Sequence, residues 1–135
     1  MNKLVGRVTA TQSSGNISII KVLVGEDTFS AIILECGRES SSYRKDDAVT
    51  LLFKETEVGL AKNLSGLISF RNRFMGKIKK IDEGQLLTRV TLAYQNRFVQ
   101  AVITTQAAVE MALREKEQVE WMVKTSEVTL MKNPV

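Results

Sequence analysis

The chain has 135 residues, of which 44% are hydrophobic and 25% are charged, as is typical of a soluble globular protein. It contains no histidine and a single cysteine, Cys36, which excludes Ser-His-Asp and Cys-His catalysis, an intrachain disulfide and a structural zinc site. The net charge of +4 and the pI of about 9.3 suit an anionic partner.

The sequence repeats itself at a spacing of 70 residues. The aligned pairs are Asn2/Asn72, Gly6/Gly76, Ala31/Ala101, Ile33/Ile103, Val49/Val119, Lys54/Lys124, Glu57/Glu127, Val58/Val128, Lys62/Lys132 and Asn63/Asn133. We therefore predict two domains, residues 1–64 and 65–135. A unit of about 65 residues buries only about 60% of its unfolded surface, so we expect the chains to associate as a homo-oligomer.

Each repeat begins with an alternating pattern, which predicts a half-buried strand. The residues on one face are Leu4, Gly6, Val8 and Ala10 in the first repeat, and Phe74, Gly76, Ile78 and Lys80 in the second. Polar turns then separate two more apolar segments, which predict a hairpin. These segments are residues 17–24 and 28–34 in the first repeat, and 86–94 and 98–104 in the second.

The pattern then changes from strand to helix. Residues 106–116 have helical spacing, with Thr105 as the predicted N-cap and Glu110–Arg114 as an i,i+4 pair. The equivalent residues 36–45 contain Gly37 and three consecutive serines, which predict a single turn at most.

Each repeat ends in two further short strands. The predicted pairs are residues 48–53 with 57–60 and residues 118–123 with 127–131, joined by the polar breaks Lys54-Glu55-Thr56 and Lys124-Thr125-Ser126. The whole pattern predicts an all-β fold of two tandem small OB-like β-barrels, each with one short helix.

The sequence favours a cytoplasmic protein with no membrane partner. No apolar run approaches the length of a membrane span. The segment Met1–Gly6 enters a strand pattern directly and lacks the apolar core of a secretory signal.

The first candidate binding segment is Ser69-Phe70-Arg71-Asn72, at the entrance of the second barrel. It combines a hydroxyl, a guanidinium, an amide and consecutive backbone N–H groups, which are the donors that an oxyanion needs. The alternative is an ordinary linker with a solvated arginine.

The second candidate is the polar break Lys124-Thr125-Ser126, which offers a cation and two hydroxyls; a polar β-bulge is the alternative. The first-repeat equivalent keeps Lys54 and Thr56 but inserts Glu55, whose charge opposes an anion.

The third candidate is Thr104-Thr105, at the predicted start of the helix. A helix N-terminus can bind an anion through its free N–H groups, although a simple capping role explains a threonine equally well. The first repeat has Leu34-Glu35 at this place.

Other groups of residues give weaker indications of function. The pairs Asp46-Asp47 and Asp82-Glu83 are interpreted as solvated turn charges, and Trp121 as a core residue. A basic cluster could form a nucleic-acid face, but only 6% of residues are aromatic, so stacking platforms are not evident. Its members are Arg71, Arg73, Lys77, Lys79 and Lys80. Because no acid/base pair, nucleophile or phosphate-binding glycine loop is visible, no catalytic residue is predicted and the protein is expected not to be an enzyme.

Three motifs, each present in both repeats, resemble the molybdopterin-binding-protein (Mop) domain. They are Asn-x-[Leu/Phe]-x-Gly at the start, Ala-[Ile/Val]-Ile before the short helix, and Lys-x-[Thr/Ser]-x-Val at the end. The second repeat adds Ser69-Phe70-Arg71-Asn72, which resembles the Ser-Ala-Arg-Asn entrance of that domain. The resemblance covers almost the whole chain.

The resemblance implies a tandem Mop-domain protein that binds molybdate or tungstate for molybdenum storage or homeostasis. Such proteins associate, typically as homotrimers, and hold their oxyanions at subunit interfaces. No resident cofactor and no protein-ligated metal are implied, since the metal is bound only as its oxyanion. Two alternatives stay open, an anion-sensing regulatory module that acts through a partner protein and a nucleic-acid-binding OB-type barrel.

The implied oxyanion-binding residues are those that match the family's motifs. They are Ser69, Phe70, Arg71, Asn72, Thr104, Lys124, Thr125 and Ser126, with Asn2, Lys54 and Thr56 as weaker members. The first repeat departs from the pattern because it lacks the serine and arginine before Asn2 and carries Glu35 and Glu55. The second repeat is therefore expected to be the better equipped of the two.

Overall fold

A computed structural model describes residues 1–35 and 42–133, and it is composed mainly of β-strands. The strands are β1 (Asn2–Ser14), β2 (Ile17–Val24), β3 (Asp27–Leu34), β4 (Ala48–Phe53), β5 (Gly59–Ala61), β6 (Asn72–Glu83), β7 (Leu87–Tyr94), β8 (Arg97–Thr104), β9 (Gln118–Val123) and β10 (Thr129–Lys132). One α-helix, α1, spans Thr105–Glu110, and two 3₁₀ turns span Glu55–Glu57 and Thr125–Glu127.

The chain divides into two compact units, each built on one antiparallel five-stranded sheet. The first unit consists of Met1–Phe53 with Lys124–Val135, and its strand order is β10-β4-β1-β2-β3. The second unit is Lys54–Val123, with the order β5-β9-β6-β7-β8. In each sheet the two edge strands approach one another, β10 with β3 and β5 with β8, so each sheet curls into a partly open barrel. The all-β, OB-like prediction is confirmed.

The predicted pairing of the last two strands in each repeat is wrong. Strand β4 does not pair with β5; it pairs with β10 from the far end of the chain, while β5 pairs with β9. A tight hairpin needs residues with positive φ to reverse the chain. Lys54 and Val58, which flank the first polar break, have extended dihedrals instead, so the chain continues forward.

The two repeats therefore exchange their final strands within one chain. The compact units differ from the contiguous segments 1–64 and 65–135 predicted from the repeat, since the chain crosses between units at residues 53/54 and 123/124. The sequence repeat and the structural unit are thus different divisions of the same molecule.

Strand β1 shows why the predicted faces hold only in part. Leu4 and Val8 are fully buried, but Ala10 is exposed, because a bulge between Val8 and Ala10 shifts the register by one residue. The second repeat behaves in the same way, with Ile78 buried and Lys80 exposed across an equivalent bulge.

The core of the second unit is centred on Trp121, which is fully buried, as the sequence predicted. Its ring lies 5.3 Å from that of Phe74 and 5.1 Å from that of Tyr94, between ring centroids. Gly76 lies beside this cluster, and a Cβ atom there would come within 3.2 Å of the indole. The glycine repeated in both halves therefore makes room for close packing.

Helix α1 is shorter than predicted and begins one residue earlier. It ends at Glu110 because Ala112, just beyond it, takes a left-handed φ of 51°. The predicted turn at 36–45 lies partly outside the described residues, as do Cys36, Gly37 and Pro134; residues 42–45 are irregular.

Candidate functional site

Strand β8 of the second unit ends at Thr104, the residue that caps α1. Thr104 has extended dihedrals, and its Oγ1 accepts a hydrogen bond from the Ala107 amide at 3.1 Å. The predicted cap, Thr105, is wrong, because its hydroxyl is used elsewhere: it donates to the Gly84 carbonyl at 2.8 Å and hydrogen-bonds the buried Thr88 hydroxyl. Thr104 is exposed and, while accepting from Ala107, can still donate its own hydrogen to a ligand.

The entrance segment precedes and begins β6. Asn72 is completely buried and lies opposite Val123 in the ladder between β6 and β9. The Arg71 guanidinium turns back on its own loop and donates to the carbonyl oxygens of Ile68 and Ser69. Arg71 therefore shapes the loop with its side chain.

Each polar break forms a 3₁₀ turn that begins after a lysine. In the second unit the turn Glu55–Glu57 packs against β8, the strand that ends at Thr104. In the first unit the turn Thr125–Glu127 packs against β3. Lys54 and Lys124 are both exposed, so their ammonium groups can reach a ligand from solvent.

The strand exchange separates residues that the sequence grouped together. The second unit contains Lys54, Thr56, Ser69, Phe70, Arg71, Asn72 and Thr104, whereas the first contains Asn2, Lys124, Thr125 and Ser126. Each donor set therefore combines the end of one repeat with the body of the other. The two glutamates that set the first repeat apart from the family's pattern are also divided, with Glu35 in the first unit and Glu55 in the second.

Glu35 has a structural partner in the first unit. Its carboxylate oxygens accept from the Ser42 amide at 2.8 and 3.2 Å. This carboxylate stands where the second unit has Thr105, so the two units present different charges at the end of the third strand.

The basic cluster on β6 is partly neutralised. Arg73 makes two hydrogen bonds to the Glu120 carboxylate, at 2.8 and 3.0 Å, and Lys80 lies 3.3 Å from Asp82. The turn carboxylate Asp46 is likewise paired, at 2.6 Å, with Arg7. The pairs made by Arg73 and Lys80 weaken the interpretation of β6 as a nucleic-acid face.

The residues that the structure describes contain no group of three or more histidine, cysteine, aspartate or glutamate side chains that could hold a metal ion. Over the same residues, 1–35 and 42–133, no helix has the length and apolar character needed to cross a membrane.

The fold and the donor-rich turns define a class of small OB-like binding modules, and comparison with known proteins agrees with that class. Residues 68–130 match the TOBE domain model. No curated protein sequence matches the chain at a significant level.

Among solved structures, the chain is similar to ModG, a cytoplasmic molybdate-binding protein crystallised with molybdate bound. The two share 26% sequence identity at a TM-score of 0.91, over 98% of this chain and 96% of that one. A molybdate-binding protein from Sporomusa ovata shows 25% identity over 50% of this chain and all of its own, with a TM-score of 0.49. The likeness to ModG and the TOBE match confirm the resemblance to tandem Mop-domain proteins.

Proposed function

We propose that this chain is a cytoplasmic binding protein, rather than an enzyme, that holds molybdate or tungstate for molybdenum storage or homeostasis. The observation that carries the proposal is the likeness to molybdate-bound ModG, which extends over 98% of the chain. The donors of both units support it, since each contains an entrance asparagine and a lysine-led turn.

The chemistry of a tetrahedral dianion explains why such donors are needed. Removing the ion from water costs far more than a single hydrogen bond returns, so several N–H and O–H donors must act together. In the second unit these are the Thr104 hydroxyl, the Lys54 ammonium and the backbone N–H groups of the Ser69–Asn72 entrance. In the first unit Lys124, Thr125 and Ser126 supply them.

The exposure of these donors supports binding at interfaces between subunits. Thr104, Lys54 and Lys124 are all exposed, so one copy of the chain can cover an ion on one side only. A second copy supplies the remaining donors and excludes water. We therefore propose a homo-oligomer, with a homotrimer favoured, whose assembly is stabilised by the ligand through mass action.

Isothermal titration calorimetry with molybdate, tungstate, sulfate and single-stranded DNA tests the proposal. Binding of molybdate or tungstate at micromolar concentration or below, without a response to DNA, is the expected result. Native mass spectrometry of the same titration counts subunits and ions together. Absence of oxyanion binding would overturn the proposal, and DNA binding in its place would favour the nucleic-acid alternative.

A further inference from the structure

The lysine that follows β5 is held by three acceptors. The Lys62 ammonium donates to the Met111 and Ala112 carbonyl oxygens at 2.7 and 3.3 Å and lies 2.8 Å from the Glu117 carboxylate. These carbonyls follow α1, where the helix dipole favours a cation. The side chain is only 24% exposed, so it ties the end of β5 to the far end of the helix that Thr104 begins.

The first unit contains the same arrangement 70 residues along the chain. The Lys132 ammonium donates to the Ser42 carbonyl oxygen at 2.6 Å, lies 3.6 Å from the Asp47 carboxylate and sits over the Tyr43 ring. Ser42 and Asp47 are the repeat equivalents of Ala112 and Glu117. We call each of these lysines, with its carbonyl and carboxylate acceptors, a lysine clamp.

Each lysine clamp closes an exchanged segment that begins with a donor turn. In the second unit the segment runs from Lys54 through the turn Glu55–Glu57 to Lys62. It is also attached through the buried Val58 and through the three-residue strand β5, which pairs with β9. The turn also packs against β8, but a strand of three residues offers few ladder hydrogen bonds, so the clamp adds a polar anchor at the end of the segment.

The exchanged segment of the first unit has an additional attachment. The Asn133 backbone N–H donates to the Ala48 carbonyl at 3.0 Å, and the Asn133 side-chain oxygen accepts from the Thr50 hydroxyl at 2.7 Å. The equivalent of Thr50 in the second unit is Glu120, which is paired with Arg73 instead. The second unit therefore depends more on its lysine clamp than the first.

We propose that Lys62 and Lys132 are positioning residues for anion binding. Each holds a donor turn in place through its exchanged segment, against β8 for Lys62 and against β3 for Lys132. The inference rests on the proposed function, because the turns led by Lys54 and Lys124 are the donors that the clamps position. Lys62 does not itself contact the ligand. Its loss is expected to let the Lys54 turn move away from β8 and from Thr104.

The full-length Lys62→Met variant tests the inference, because methionine keeps the aliphatic stem and removes the donor. Molybdate titration should show binding on the order of tenfold weaker, as for other residues that orient ligand-binding groups. Hydrogen exchange of the amides in Glu55–Val58, measured without ligand, should become faster. Lys62→Arg should restore both, since a guanidinium can donate to the same carbonyls and carboxylate.

Three matched variants complete the design. Lys132→Met should produce a smaller loss, because Asn133 also holds that segment. Lys79→Met removes an exposed charge from β6 and should leave affinity and exchange unchanged. Glu117→Gln removes the ionic partner with little change in shape, which keeps the test available if Lys62→Met unfolds, and it should weaken binding by a few fold.

The results of these experiments distinguish the positioning role of the clamp from the proposed function. If the wild-type chain binds molybdate and Lys62→Met binds it equally well, the positioning role is overturned and the proposed function stands. Slower or unchanged exchange at Glu55–Val58 in that variant would also overturn it. A wild-type chain that binds no oxyanion would overturn the proposed function and, with it, the role given to the clamp.

Discussion

The Thr104 hydroxyl accepts a hydrogen bond from the Ala107 amide, so a single residue both ends β8 and caps α1. Replacing Thr104 with alanine should destabilise the chain by about 1 kcal/mol through loss of the cap, and should also weaken molybdate binding. Urea unfolding measures the first effect and calorimetric titration the second. Thr104→Ser should preserve both, and a serine variant as impaired as the alanine would count against this role for the hydroxyl.

The repeated glycines offer a matched pair of packing tests. A Cβ atom at Gly6 would lie 2.6 Å from the Leu23 carbonyl oxygen, whereas at Gly76 the nearest atom is 3.2 Å away. Gly6→Ala should therefore cost about 1–3 kcal/mol, as overpacked sites do, and Gly76→Ala less. Thermal unfolding of the two variants makes the comparison, and a larger loss for Gly76→Ala would contradict the packing described for β1.

The two turn lysines, which belong to different compact units, should make unequal contributions to the affinity and to the number of ions bound. Lys124→Ala is expected to cause the greater loss of affinity, since Glu55 stands next to Lys54 and opposes an anion. A calorimetric titration of each variant, with the number of bound ions counted by native mass spectrometry, checks both points. Equal losses for the two variants would contradict this ranking of the two turns.

The lysine clamp of the second unit predicts that the free energy of unfolding depends on pH. The Lys62 hydrogen bond lowers the pKa of Glu117 below its ordinary value of 4.5; burial opposes this, and the Arg114 amide adds to it. The folded pKa lies below the unfolded one, so the stabilisation is complete above pH 4.5 and is lost as the pH falls through the folded value. The effect is expected to be small, as it is for most ion pairs near a protein surface.

Urea midpoints of the wild type and Glu117→Gln, compared between about pH 3 and pH 7, measure this contribution. The difference between the two proteins should be constant near neutrality and should narrow in acid. A difference that widens as the pH falls would mean that the carboxylate is not stabilised in its charged form.

Local patterns predicted most elements correctly, because strand alternation and turn residues act over a few positions. Strands β2, β4 and β9 begin and end where the patterns indicate. The predicted helix start is one residue too late, because either of two adjacent threonines can cap a helix. The Gly84 carbonyl accepts from the Thr105 hydroxyl, and Thr104 is the cap.

The strand exchange could not be read from the sequence. Because the two repeats have the same pattern, β5 and β10 suit either sheet equally well, and the choice depends on the path of the chain after Phe53. The candidate donor residues could be proposed from the sequence as a set, but their division between units follows from that path. The sequence repeat aligns Lys62 with Lys132. It does not predict their hydrogen bonds, because the acceptors are backbone carbonyl oxygens, which every residue has.

The exchange also sets an order of events during biosynthesis. Domains usually fold as they emerge, the N-terminal one first. Here the first sheet lacks its edge strand until β10, at Thr129–Lys132, has emerged, although β4 is complete more than 70 residues earlier. The second sheet, by contrast, holds all of its strands once Val123 has emerged. The nascent chain therefore carries an open strand edge on β4, and the N-terminal unit can close only after β10 has emerged.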